Sequence, residues 1–402
     1  MDFVRQTKEK VMRTKANSYP IVLVHGFMGW GRNEVLGLKY WGGVTDYEQE
    51  LASSGYTTYT ATVGPVSSNW DRACELYAYI KGGTVDYGQA HSTQKGHNRY
   101  GRTYPGLYPE WGNLTTEGKI NKIHLVAHSM GGQTVRTLVQ LLKEGSAEER
   151  SATSTHLSPL FAGGKSWVHS VTTIASTHDG TTLADGINLF DDFAKNFVAS
   201  LASFTGAGEA LIYDFKLDQW GLNRKPGESL TDYTNRVFNS NIWNRTNDLA
   251  NWDLSTDGAR VLNSWVKAQS DVYYFSYSTC ATVPSILTNN ELPHVINMTP
   301  LLYPFGTFIG SYTRNEEGRV IIDDSWKPND GVVNTISQNG PKNWSSDRIV
   351  NYNGVPQIGK WNSMPLLDTI DHMDACGIGT NVLTSSWYKN LAERLVELTI
   401  SN

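Results

Sequence analysis

Apolar residues along the chain alternate between two patterns. "YPIVLVHGF" (19–27) is a β-branched run without polar alternation that ends in a glycine, which predicts a buried strand. "KIHLVAH" (122–128) and "WVHSVTTIAS" (167–176) repeat it, and "DVYYFSYST" (271–279) and "GRVIIDD" (318–324) predict further strands. Between these runs the period changes. In "GGQTVRTLVQLLKEG", Val135, Leu138, Val139 and Leu142 form one apolar helical face closed by Gly145. "SSWYKNLAERLVELTI" predicts a C-terminal amphipathic helix with a serine cap. Strands alternating with helices predict an α/β fold in which a mostly parallel central sheet carries helices on both faces.

Two stretches interrupt this alternation. Residues 67–118 are rich in Gly, Tyr, Trp and His with little periodicity, too long for an ordinary loop. Residues 182–215 hold a helical stretch with Ile187, Phe190, Ala194, Phe197, Val198 and Leu201 on one side. Asp191, Asp192, Lys195 and Asn196 occupy the other. No repeat or low-complexity linker appears, so residues 1–402 are read as one domain with two insertions.

Composition narrows the class. The formal charge is −5 and no basic run appears, which argues against a nucleic-acid partner. No stretch approaches the ~20 apolar residues of a spanning helix. Three cysteines without CxxC spacing make no disulfide framework, so extra cross-linking would come from elsewhere, for example a metal. The N-terminal "MDFVRQTKEKVMRTKANSYP" is charged and lacks the apolar core of about 7–15 residues that marks a signal peptide. That leaves open an intracellular protein or a mature form with an added Met. A monomer is expected.

The chemistry centres on "HLVAHSMGGQ" (124–133). A serine hydroxyl needs a base to take its proton and donors for the oxyanion that forms. On a sharp strand-to-helix turn, small residues two before and two after the serine let the backbones approach closely. Ala127 and Gly131 fill those positions around Ser129, between a strand-like and a helix-like run. The backbone N–H of Met130 is then one oxyanion donor. The Gly-rich "VHGFMGWG" (24–31) offers that of Phe27 as the second. His25 is expected to order that loop, and His128, on the alternating strand, to point away. Such turns order their partners Ser, acid, His. Of His156, His169, His178, His294 and His372, only His372 lies in a loop after every predicted strand and just before the terminal helix. "VIIDDSWKPNDGVVNT" offers Asp323, Asp324 and Asp330; Asp330, in a turn beyond the strand, is preferred, with Asp179 the outsider.

These motifs, with "SSNWDRACE", "GHNRYGRTYPG", "FKLDQWGL" and "DHMD", resemble the secreted lipases of Gram-positive bacteria, in the branch of the Bacillus/Geobacillus and staphylococcal enzymes, over roughly residues 19–400. The resemblance implies an α/β-hydrolase fold and a lipase acting on triacylglycerols or other hydrophobic esters at a lipid–water interface. It implies Ser129 as nucleophile, Asp330 as acid and His372 as base, secretion, and a lid over 182–215. It further implies a structural zinc in the first insertion, held by Asp71, His91, His97 and Asp253. The family's calcium would use Asp374, but "GIGTN" lacks the second carboxylate, which weakens that site. Competing expectations are an esterase or phospholipase of the same fold, a catalytically dead binding protein, and a zinc hydrolase built on His91 and His97.

Overall fold

The computed structural model describes residues 15–153, 155–186 and 189–400. Seven strands form one parallel sheet: β1 (Ile21–Val24), β2 (Thr58–Ala61), β3 (Ile123–His128), β4 (Val168–Ile174), β5 (Tyr273–Tyr277), β6 (Ile349–Asn351) and β7 (Trp361–Ser363). Their order across the sheet is β2-β1-β3-β4-β5-β7-β6, every neighbouring pair parallel. The three central strands β1, β3 and β4 are buried along their whole length. This is why they read as uniform apolar runs: helices cover both faces and no side is left for polar residues.

Strand direction of travel reverses at β1. The chain steps from β1 out to β2, then returns to the other side of β1 as β3. Loops leaving β1 and β3 therefore diverge at the carboxyl edge and open a crevice, where ligands bind in open α/β sheets.

Three expectations need correction. "GRVIIDD" forms no strand in the sheet; it makes only an isolated bridge from Arg314 to Ile322. Val320 and Ile322 are buried with Trp326 in a satellite cluster, while Ile321 faces solvent. The inward–outward alternation is there, but the place beside β5 belongs to β7. Second, β2, β6 and β7 are strands of three or four residues that the apolar pattern did not mark. Third, the last helix (Ser385–Glu397) is capped by Thr384, whose hydroxyl accepts from the N–H of Trp387.

The stretch 67–118 is more ordered than its composition suggests. It contains helix α1 (Asn69–Lys81), a short helix (Gln89–Lys95) and an antiparallel pair formed by Gly83–Asp86 and Tyr100–Tyr104. Helix α1 packs on α2 (Gly131–Glu144), the helix that follows β3. In the second stretch, helix α3 (Leu189–Phe204) buries Phe190, Ala194, Phe197, Val198 and Leu201, as expected, and also Phe193. Ile187 lies outside the described residues.

Candidate active site

Ser129 sits between β3 and α2 with φ of +56°. A non-glycine residue in this left-handed region costs about 1–2 kcal/mol, and the surroundings hold it there. Its N–H donates to the Ile174 carbonyl at 3.0 Å, and its own carbonyl accepts from Gly132 at 3.0 Å. The close approach is literal. A Cβ on Gly131 would stand 2.7 Å from the carbonyl oxygen of Val24, and one on Gly26 would stand 2.6 Å from the Ser129 Cβ.

The structure brings Ser129, His372 and Asp330 into one hydrogen-bonded line. The Ser129 hydroxyl donates to His372 Nε2 at 2.9 Å, and His372 Nδ1–H donates to Asp330 Oδ2 at 2.8 Å. All three are buried, Asp330 completely. The carboxylate is held from several sides. Oδ1 accepts the N–H groups of Val332 (3.0 Å) and Val333 (2.8 Å), and Oδ2 accepts the Thr279 hydroxyl (2.8 Å) and the Gln338 amide (3.2 Å). The His372 N–H closes the two loops on each other by donating to the Asp330 carbonyl at 2.9 Å. Asp179, the alternative acid, is taken up elsewhere: its carboxylate accepts from Asn263, Lys342 and Asn343.

Among the described residues no hydrogen bond engages the backbone N–H of Phe27 or of Met130. Two free donors beside a serine hydroxyl are what an oxyanion requires. The Phe27 loop is clamped from beneath by the buried Arg72 guanidinium, which donates to the carbonyls of His25 (2.6 Å) and Gly64 (2.7 Å) and to the Thr134 hydroxyl (2.8 Å). Burial pulls Arg72 down to about 10, still cationic at neutral pH. His25 orders the loop as expected. Its Nδ1–H donates to the Gly26 carbonyl and its Nε2 accepts the Val63 N–H.

His128 does more than point away. Its Nδ1 accepts the Tyr40 hydroxyl at 2.6 Å, and its Nε2–H donates to the His372 carbonyl at 2.9 Å. The Tyr40 oxygen in turn accepts the Gly26 N–H at 3.0 Å. Burial, then the neighbouring His372, holds the His128 pKa well below the usual range, so the ring stays neutral and the tautomer is set by its two partners. Tyr40, His128 and Arg72 were not selected from sequence. The one signal available was a polar residue at the end of a largely apolar run, as with His128 in "HLVAH".

Helix α3 packs beside the Ser129 turn. The Phe27 ring lies 4.6 Å from that of Phe190 and 6.2 Å from that of Phe193. Phe190 also packs with Met130, Ala250 and Leu254. Ser129 is only 4% exposed beneath this cover.

A second cluster gathers Asp71, His91, His97 and Asp248, whose potential ligand atoms all lie within 4.8 Å of one another. Asp248 Oδ2 is 3.1 Å from Nε2 of both His91 and His97, and Asp71 Oδ1 is 3.2 Å from that of His91. Asp71 Oδ1 is buried without a hydrogen bond. The His97 Nδ1–H donates to the Asn98 carbonyl, which leaves Nε2 facing the cluster. Four N/O donors around an orphaned carboxylate oxygen fit a tetrahedral divalent ion. The fourth member is Asp248 and not Asp253, the expected one. Asp253 Oδ2 accepts the Asn69 N–H at 2.5 Å, and burial with the nearby carboxylates raises its pKa to about 7. The two aspartates stand five residues apart, and only side-chain direction separates them.

Asp374 does not fit a calcium ion. Its carboxylate accepts main-chain N–H groups from Asn381 (3.1 Å) and Asp371 (3.4 Å), and a Cβ on Gly379 would stand 2.1 Å from its Oδ1. The Asp371 carboxylate likewise accepts the N–H groups of Thr299, Met373 and Asp374. N–H donors surround both carboxylates where a hard cation needs several oxygens.

A seven-stranded parallel sheet with a serine on a strained strand–helix turn, followed in chain order by its hydrogen-bonded acid and histidine, defines the α/β-hydrolase fold. The chain belongs to the Lipase-like, C-terminal domain family, whose profile matches residues 17–397. It is 90% identical to lipase 1 from Pelosinus fermentans, with a TM-score of 0.91 over 96% of this chain and 100% of that one. With EstA from Clostridium botulinum the identity is 56% and the TM-score 0.91, over 97% of this chain and 90% of that one. Lipase 1 of Staphylococcus aureus (strain MRSA252) is 37% identical over 397 residues, 95% of this chain and 55% of that protein. The chain thus spans about half the length of the curated relatives it matches.

Proposed function

We propose that the protein is a lipase, a carboxylester hydrolase that cleaves triacylglycerols and other water-insoluble esters through an acyl-enzyme on Ser129. Ser129 Oγ attacks the ester carbonyl as His372 Nε2 takes its proton. The tetrahedral oxyanion sits against the N–H groups of Phe27 and Met130. His372 then gives the proton to the departing alcohol oxygen, and water repeats the sequence to release the acid. Asp330 keeps the proton on Nδ1, so that Nε2 is the basic nitrogen, and stabilises the imidazolium. The observation that carries this reading is the unbroken line of 2.9 Å and 2.8 Å hydrogen bonds from Ser129 through His372 to Asp330, set beside two unused backbone donors.

Helix α3 acts as a lid in this reading. Its phenylalanines cover Phe27 in water and turn toward a lipid surface when one is present, exchanging one apolar contact for another. The Asp71, His91, His97 and Asp248 cluster holds a zinc ion that ties the 67–118 stretch to the helical segment carrying Asp248. A bound zinc supplies a structural cross-link there. Secretion is taken from the family resemblance; among the described residues no helix is long and apolar enough to cross a membrane.

A fluorophosphonate tests the catalytic assignment. Stoichiometric labelling of Ser129, together with turnover of long-chain emulsions above the substrate's solubility limit, is expected. A folded protein that takes no label overturns the serine mechanism, and activity confined to dissolved short-chain esters overturns the lipase.

A further inference from the structure

Beyond the lid, the structure exposes a second apolar feature. Residues 282–297, "TVPSILTNNELPHVIN", form a hairpin in which Thr282–Pro284 pairs antiparallel with Glu291–Pro293. Its apolar side chains are turned outward: Ile286 is 97% exposed, Leu287 88%, Ile296 77% and Val295 76%, with Val283 and Leu292 also exposed. Six branched aliphatic residues within fourteen positions are far more than scattered surface residues supply, and a concentration of this kind marks an interaction surface. Glu291 is the one acidic residue in the segment, which contains no Lys or Arg.

The hairpin is fixed to the site it adjoins. Ala281 N–H donates to the carbonyl of Asn329, the residue before Asp330, at 2.9 Å. Thr299 N–H donates to Asp371, the residue before His372, at 2.7 Å. The turn itself is pinned by Asn289, whose amide donates to Asp324 (2.6 Å) and whose carbonyl accepts from Lys327 (2.5 Å). The helix Tyr303–Ile309 packs against the Glu291–Pro293 strand, and its Phe305 meets the lid's Phe193 at 5.1 Å. The patch, the helix and the lid therefore adjoin one another, and the patch stays exposed while the lid is shut.

We propose that this hairpin is a fixed anchor for a neutral lipid surface, which holds the enzyme at the interface before the lid opens. The hairpin carries aliphatic side chains and one charge, Glu291, and the Asp324–Lys327 ion pair at its turn adds no net charge, so it matches a zwitterionic or uncharged surface better than an anionic one. Its ties to the residues beside Asp330 and His372 mean that insertion would set the orientation of the catalytic groups relative to that surface. The inference rests on the lipase reading.

Sedimentation with phosphatidylcholine vesicles tests it, with turnover of a dissolved short-chain ester measured in parallel. The variant Ile286→Ser, Leu287→Ser, Val295→Ser, Ile296→Ser is expected to lose about a hundredfold in partitioning and to keep soluble turnover within about twofold, since each side chain left in water forfeits its transfer gain. The single variant Leu287→Trp is expected to show a blue shift of emission on vesicle addition beyond that of the native protein. Equal partitioning of the serine variant and the native protein overturns the anchor, as does a Leu287→Trp variant that sediments with vesicles and shows no added shift. A native dimer that the serine variant converts to monomer, with vesicle binding intact, makes the patch a self-association face and also overturns it. Absence of turnover on every ester, dissolved or emulsified, strikes the lipase reading instead.

Discussion

The imidazole of His128 donates its Nε2–H to the main-chain carbonyl of His372, 2.9 Å away, with the ring centroids 4.5 Å apart. The residue before Ser129 thus holds the backbone of the histidine to which the Ser129 hydroxyl donates. Through Tyr40 the same ring reaches Gly26, beside the Phe27 N–H. The Ser129 turn, the His372 backbone and the Phe27 loop share one buried neutral network, and such networks fix geometry because every member is satisfied.

Removing its bridge should loosen the site without removing any group that touches substrate. Tyr40→Phe leaves the Gly26 N–H and His128 Nδ1 without partners. A fall in kcat of about ten- to hundredfold on a dissolved ester, with KM nearly unchanged, is expected from a misplacement of this kind. Steady-state kinetics on p-nitrophenyl esters checks this, and unaltered kcat in a folded variant would show that the network is dispensable.

The metal assignment separates two neighbouring carboxylates. Asp248→Ala is expected to abolish bound zinc, measured by elemental analysis, and to lower Tm by about 5–10 °C. Asp253→Ala is expected to retain stoichiometric metal. Brief chelation should cost heat stability before it costs kcat; immediate loss of turnover would point to a catalytic ion.

If helix α3 is a lid, as proposed, its closed position rests on the contacts of Phe190 and Phe193 with Phe27. Full burial of one phenylalanine is worth about 2 kcal/mol. Phe190→Ser should therefore raise activity on dissolved esters without an interface by roughly tenfold, and shrink the jump in rate at the solubility limit. Rate against substrate concentration across that limit reads both effects.

Glu75 is buried, accepting from Gly64 N–H and the Tyr87 hydroxyl, and burial raises its carboxyl to about 7. Between the ordinary glutamate value, about 4.3, and that raised value the native state binds more protons than the unfolded chain. Stability from this group is therefore greatest at low pH and declines as pH rises through that window. Glu75→Gln should flatten the dependence of unfolding free energy on pH between about 4.5 and 7, by an amount on the order of 3 kcal/mol at most. Urea titrations of both proteins at several pH values would show the difference, and parallel curves would refute it.

Local chemistry made much of the fold and site readable from sequence. β1, β3, β4 and α2 announce themselves because burial on both faces or on one stripe imposes a residue pattern over roughly five to fifteen neighbouring positions. The serine turn is equally local: small residues must flank Ser129, since Gly131 has the Val24 carbonyl where its Cβ would be. Chain order then singled out Asp330 and His372. What lay beyond the sequence was decided by contacts between distant residues. Val320 and Ile322 have strand-like alternation but no partner edge, because β7 occupies it; β6 and β7 have partners but are too short to show a pattern. Asp248 and Asp253 are equivalent as letters, and only the direction of each side chain puts one in the Asp71, His91 and His97 cluster and the other on the Asn69 N–H. Tyr40 and His128 meet across 88 positions, and the outward turn of Ile286 and Ile296 depends on how the hairpin is pinned. Periodicity records which face of an element is buried; it holds no record of which distant group that face will meet.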